Sequence, residues 1–185
     1  MENMKHSVCV FCGSRDGVDP AYRAAGMATG AALAAENWRL VYGAGDVGIM
    51  GAVANACQDA GGETFGVIPV HLMDREVGKT DLNRFVVTEN MHERKKVMFM
   101  NSDAMVVLPG GAGSMDEFFE VLTWGQLGLH QKPIYIVNIN GYWDKLIALM
   151  DDIIGQGFAD ASLLDYFKVV SDVPELIADL RLRLS

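Results

Sequence analysis

The 185-residue chain has no apolar run near the roughly 20 residues needed to span a bilayer, and it opens on a polar stretch. Neither a transmembrane segment nor a secretory leader is therefore expected. Cysteine is scarce. Three residues, an odd number, make no disulfide framework and read as free thiols in a reducing compartment, so the expected location is cytoplasmic. Positive charge is also short: 15 Lys and Arg against 24 Asp and Glu leave a net charge of −9. That balance argues against nucleic acid or a membrane surface as the main partner, but a local pocket can still take a small phosphorylated ligand. No repeat, low-complexity segment or internal linker divides the chain, which reads as one domain over residues 1–185, long enough to bury a core.

What is present centres on one stretch, Asp103-Ala104-Met105-Val106-Val107-Leu108-Pro109-Gly110-Gly111-Ala112-Gly113-Ser114-Met115-Asp116-Glu117. A short apolar run with the pattern of a buried strand meets a glycine-rich turn, and a helical pattern opens at once, predicted over residues 114–128. Strand, turn and helix start together make an anion site, because unpaired N–H groups and the positive end of the helix dipole converge there.

Around that stretch, strands are predicted at 7–12, 38–42, 64–68, 85–88, 134–138 and 167–170. Helices are predicted at 21–36, from the turn 43–51 to about 60, at 90–100, after Gly141-Tyr142 to about 155, and at 174–182. Alternation from end to end argues for an α/β fold, a Rossmann-like doubly wound parallel sheet with helices on both faces. Residues 69–84 have little periodicity and read as a loop, a candidate lid.

Three motifs need weighing. Cys9 and Cys12 form a C-x-x-C, but inside a strand they point to opposite faces, and no second ligand pair is spaced for a metal; they read as buried small hydrophobes. Gly43-Ala44-Gly45-Asp46-Val47-Gly48-Ile49-Met50-Gly51 matches G-x-G-x-x-G between a strand and a helix. It follows the second strand, however, and no acid closes the next one, which disfavours an NAD site. The turn is read either as close backbone approach to a nucleotide or as tight helix–sheet packing. Thirdly, Asn90-Met91-His92-Glu93 resembles a capping box opening a helix that carries Arg94, Lys95 and Lys96. Cations that early oppose the dipole by roughly 0.3–1 kcal/mol each unless something compensates. Lys96 suits a solvated face, and Arg94 is the better candidate for planar recognition of phosphate or carboxylate.

Ser114-Met115-Asp116-Glu117 is itself a capping-box pattern, and from the local sequence that reading stands level with a functional one. The neighbouring glycines favour function, since they are costly unless the backbone needs positive φ or close approach to a ligand. Asp116 and Glu120 form an outward acidic row, whereas Glu117 lies on the side of Val121 and Trp124, where an acid among apolar neighbours can serve as a catalytic carboxylate.

At these residues the chain resembles the LONELY GUY (LOG) family of cytokinin riboside 5′-monophosphate phosphoribohydrolases. The family's P-G-G-x-G-T-x-x-E motif is matched by residues 109–117, and its M-H-x-R-K motif by Met91-His92-Glu93-Arg94-Lys95. The likeness extends through Cys12-Gly13-Ser14, the turn 43–51, Thr123-Trp124-Gly125-Gln126-Leu127-Gly128 and Asn140-Gly141-Tyr142. It implies hydrolysis of the N-glycosidic bond of an adenine-type nucleoside 5′-monophosphate, with no metal or other cofactor, by a homodimer. By position it implies Glu117 and Arg94 as the catalytic pair. Substrate contacts would come from Glu76, Lys95, Gly110, Gly111, Ala112, Gly113, Ser114, Met115, Asp116 and Thr123, with Ser14, Gly43, Gly45 and Gly48 as candidate nucleotide contacts. Whether Arg94 would serve phosphate or Glu117 is left open. Two departures stand out: Ser114 replaces the motif's Thr, and Gly43-Ala44-Gly45 with Asp46 replaces a G-G-G turn, placing an acid where it would repel a phosphate.

Two other readings compete. One is a carrier for a nucleotide or phosphorylated ligand, without chemistry. The other is the lysine decarboxylase label this family has carried, which would need pyridoxal phosphate and a Schiff-base lysine in a setting the glycine turns do not offer.

Overall fold

The strands are short apolar runs, and the central ones are buried along their whole length. Ser7–Phe11 (β1) and Ala104–Val107 (β5) have no exposed position. Strands with both faces covered belong inside a parallel α/β sheet, not at the surface of an antiparallel one. The computed structural model, which describes residues 6–73 and 79–185, contains that sheet. Its further strands are Arg39–Tyr42 (β2), Thr64–Pro69 (β3), Arg84–Thr88 (β4), Ile134–Val137 (β6) and Lys168–Val170 (β7). All neighbours are parallel, in the order β4-β3-β2-β1-β5-β6-β7. The helices are Pro20–Ala35 (α1), Gly48–Asp59 (α2), Met91–Met100 (α3), Ala112–Gln126 (α4), Asp144–Gly155 (α5) and Val173–Arg183 (α6). None of them is long and apolar enough to cross a membrane.

Alternation along β1 divides the core. Val8, Val10 and Cys12 join residues of α1, α2 and α6 on one face, while Cys9 and Phe11 join Met98, Phe118, Leu122, Leu146 and Met150 from α3, α4 and α5 on the other. The C-x-x-C pair is thus split between two cores, and all three cysteines are buried and reduced. Burial pushes the Cys57 thiol up to about 11.

The chain winds outward from β1 to β4, then returns to place β5 beside β1 and continues to β7. After β1 it leaves toward α1 on one face; after β5 it leaves toward α4 on the other. Between two such exits a crevice opens at the carboxyl ends of the strands, the position at which open α/β sheets bind ligands. The two exits are tied together: Gly13 N–H donates to the Pro109 carbonyl at 3.1 Å, and Leu108 N–H to Phe11 at 2.9 Å.

Two local expectations are corrected. Helix α4 starts at Ala112, not Ser114, and its N-cap is Gly111, which provides no side-chain cap. Ser114 and Glu117 therefore form no capping box. The glycines before Ser114 let the backbone turn into helix two residues early, leaving the serine inside the first turn. The box at Asn90 is half made. Asn90 accepts from Glu93 N–H at 2.9 Å, but the Glu93 carboxylate accepts from Glu89 N–H, one residue before the cap.

Candidate active site

A cavity of about 500 Å³ occupies the crevice. Its floor comes from the strand exits Gly13, Gly43 and Pro109-Gly110, and one wall from the first turns of α4. The first intrahelical bond of α4 is Met115 N–H to Gly111 at 3.2 Å, so the N–H groups of Ala112, Gly113 and Ser114 have no partner in the helix, and the N-cap Gly111 has no side chain to cap them. All three residues line the cavity, and with about half a positive charge from the helix dipole their N–H groups have the chemistry to hold an anion. None of Gly110, Gly111 and Gly113 has positive φ. Close approach is the reason for Gly110: a Cβ there would lie 2.0 Å from Ser114 Oγ and 2.9 Å from Gly13 N.

Glu117 follows one turn further along α4, half-buried and lining the same cavity. Its charge reaches the core beneath. Burial, and after it the Glu117 carboxylate, hold the Cys9 thiol well above its ordinary range. Arg94 enters from α3 and is only 4% exposed. Its Nη2 donates to the Gly43 carbonyl at 2.7 Å and its Nε to the Val67 carbonyl at 3.1 Å, so the end of β2 and the body of β3 hold the guanidinium at the cavity wall. These carbonyls offset the cost of a cation early in α3. Gly43 is a glycine for the same contact, since a Cβ would lie 2.2 Å from Nη2.

Of the residues expected from sequence, Glu117, Arg94, Gly110, Gly111, Ala112, Gly113, Ser114, Ser14 and Gly43 line the cavity together. Glu76 lies outside the described residues. Lys95, Met115, Asp116, Thr123, Gly45 and Gly48 do not line it. Met115 packs on the core beside α4, and Thr123 is exposed. Gly48 has φ +63 and sits where a Cβ would meet the Ser14–Arg15 backbone at 2.3 Å, so at this position the turn serves packing.

Lys95 is 8% exposed and bonds Glu120, with Asp116 at 3.0 Å. The acidic row of α4 thus faces a lysine of α3, tying together the helices that carry Glu117 and Arg94. Burial alone would lower the lysine's pKa, but the bonds from Glu120 and Asp116 outweigh it and the net shift is upward. A raised folded-state pKa stabilises fully below the unfolded value and is lost as pH rises through the folded one. Lys95→Met is therefore expected to lower stability by about 1–2 kcal/mol, less than for a fully buried pair because Asp116 is largely in water. The deficit, read by urea unfolding, should be constant from neutral pH to about pH 10 and shrink beyond it.

Sequence reasoning missed several cavity residues, among them Arg15, Tyr22, Leu72, Met91 and Tyr142. Two of these carried a signal: Met91 opens the Met91-His92-Glu93-Arg94-Lys95 motif, and Tyr142 closes Asn140-Gly141-Tyr142. It also missed Lys79, which is buried and lies 3.6 Å from Asp46 and 3.0 Å from Asp81. The Asp46 charge expected to repel a phosphate is thereby paired.

An uncapped helix start, a carboxylate and a buried guanidinium at the switch point of a doubly wound sheet define a protein built to bind a small anionic ligand. Comparison with known proteins narrows this. A family described as "Possible lysine decarboxylase" matches residues 50–180. A probable cytokinin riboside 5′-monophosphate phosphoribohydrolase of Oryza sativa subsp. japonica is 43% identical over 173 residues, covering 94% of this chain and 76% of that protein. A cytokinin riboside 5′-monophosphate phosphoribohydrolase of Arabidopsis thaliana is 38% identical over 173 residues, covering 94% and 80%. Among solved structures, the molybdenum cofactor carrier protein of Chlamydomonas reinhardtii superposes with a TM-score of 0.73 at 20% identity over 97% of this chain and 98% of that one, a likeness of fold. The chain belongs to the LOG family of cytokinin riboside 5′-monophosphate phosphoribohydrolases.

Proposed function

We propose that this protein hydrolyses the N-glycosidic bond of adenosine 5′-monophosphates, including N6-substituted ones, and releases the free base and ribose 5-phosphate. One observation carries the reading: an uncapped helix N-terminus, Glu117 and Arg94 line a single cavity. The 5′-phosphate binds at the N–H groups of residues 111–114. Its binding energy holds the ribose so that the anomeric carbon faces Glu117, one turn along the same helix. As the bond from C1′ to the base nitrogen breaks, its electron pair leaves with the base and C1′ takes on oxocarbenium character. The Glu117 carboxylate stabilises that charge and draws a proton from the attacking water, whose oxygen bonds C1′; the departing nitrogen takes a proton from solvent, and Glu117 returns its own to solvent. Arg94 supplies positive charge at the wall for phosphate or for the ionised form of Glu117. This chemistry requires neither a metal nor a redox cofactor. In this reading the chain is one domain, homodimeric and cytoplasmic, with a nucleoside monophosphate and not a nucleic acid as its partner.

The test is to incubate the purified protein with AMP and isopentenyladenosine 5′-monophosphate and follow free base by chromatography. Base release from the nucleotides, and far less from adenosine, is the expected result. Saturable nucleotide binding without release would establish the carrier reading instead.

A further inference from the structure

The anion cradle is held unevenly. Residues from Ala112 onward belong to α4, and Gly110 lies close against Ser114 and Gly13, but a Cβ on Gly111 would meet nothing within 4 Å. The peptide joining Gly110 to Gly111 has glycine's wide choice of backbone angles on both sides, so an anchor on it preorganises the cradle. The anchor comes from the segment after β6, through Tyr142.

Asn140 (φ +50) and Gly141 (φ +73) are consecutive left-handed residues, a conformation that Asn adopts where its side chain is held by local hydrogen bonds. Asn140 Nδ2 donates to Asp19 Oδ2 at 2.9 Å, and Asp19 itself caps α1 by accepting from Ala21 N–H. Asn138 accepts from Trp143 N–H at 2.7 Å and donates to Asp144 at 2.7 Å. The turn delivers the Tyr142 ring to the cavity wall, edge-on to Tyr22 at 5.1 Å, with its hydroxyl donating to the Gly110 carbonyl.

That bond acts on the peptide unit joining Gly110 to Gly111. Carbonyl and N–H are antiparallel in one rigid plane, so holding the Gly110 oxygen on the tyrosine side sets the direction of Gly111 N–H. It also occupies a carbonyl lone pair that would otherwise stand unpaired beside the anion. We propose that Tyr142 is a positioning residue for the phosphate cradle, acting through the Gly110 peptide, and that it sets how strongly the site prefers a 5′-phosphorylated ligand over the free nucleoside. The inference rests on the proposed placement of the 5′-phosphate at α4.

The experiment compares wild type with Tyr142→Phe, which keeps the ring and removes the hydroxyl, using the Kd of AMP, ribose 5-phosphate and adenosine by calorimetry. One lost hydrogen bond corresponds to about a 3- to 10-fold change. AMP and ribose 5-phosphate should both weaken by that factor while adenosine changes less than about twofold, and in turnover KM should rise far more than kcat falls. Equal weakening of all three ligands would show a packing role and overturn the proposal, as would no weakening of any. A wild type that binds AMP no better than adenosine would overturn it too. If wild type binds AMP but releases no base, the hydrolase reading fails, and the ratio of phosphorylated to free ligand still decides the role of Tyr142.

Discussion

Glu117→Gln is expected to lower base release from AMP by about 10²- to 10⁴-fold while leaving nucleotide binding and the fold in place. Glutamine keeps the length and shape of the side chain but can neither carry negative charge nor accept a proton from water. In the proposed reaction both abilities are needed only as C1′ becomes electron-deficient, so the loss falls on kcat rather than KM. A fall of that size raises the barrier by about 2.7–5.4 kcal/mol, more than a neutral hydrogen bond contributes, so a positioning role for Glu117 cannot imitate it. Because glutamine keeps the shape of the side chain and the N-cap of α4 is Gly111, the substitution leaves the start of α4 in place, and circular dichroism should match wild type. Activity within tenfold of wild type would remove Glu117 from the mechanism and leave the anion site without its chemistry.

The second large effect is on the frame of the site. Gly48→Ala is expected to destabilise the protein by about 2–5 kcal/mol, combining the left-handed backbone penalty with an overlap that no side-chain rotation relieves. Gly48 has φ +63, and the atoms a Cβ would strike, at 2.3 Å, are backbone atoms of Ser14 and Arg15. Those two residues line the cavity, so activity at low temperature, where the variant is still folded, should fall as well. Gly61 provides the control: φ is +77 but nothing lies within 4 Å, so Gly61→Ala bears the backbone penalty alone, about 1–2 kcal/mol. Equal urea midpoints for the two variants would contradict the packing argument and return Gly48 to the list of ligand contacts.

Much of this architecture was legible before any coordinates. Among the described residues, each of the seven strands and six α-helices lies where apolar periodicity, alanine content and glycine placed it, within a few residues. Arg94 and Glu117 were singled out by motif, and the structure brings them to one cavity. The capping box at Ser114 failed for a local reason: a cap motif assumes where the helix starts, and the glycines let α4 start two residues sooner. The ion pairing of Lys95 was hidden for a non-local one. Its partners Asp116 and Glu120 are on another helix, more than 20 residues away in sequence.

The sequence by itself determined the elements, the acid excess, the glycine turn and the identity of its chemical groups, because periodicity, propensity and turn chemistry act within a few residues. Only the tertiary structure decided that β5 returns to lie beside β1, and so that a crevice opens between Gly13 and Gly110. It likewise decided that Lys79 pairs with Asp46, that Lys95 ties α3 to α4 and that Tyr142 reaches Gly110. These are contacts between distant parts of the chain. Their partners are set by which strands become neighbours and which faces the helices cover, a choice made by burial of the whole core and not by any local stretch.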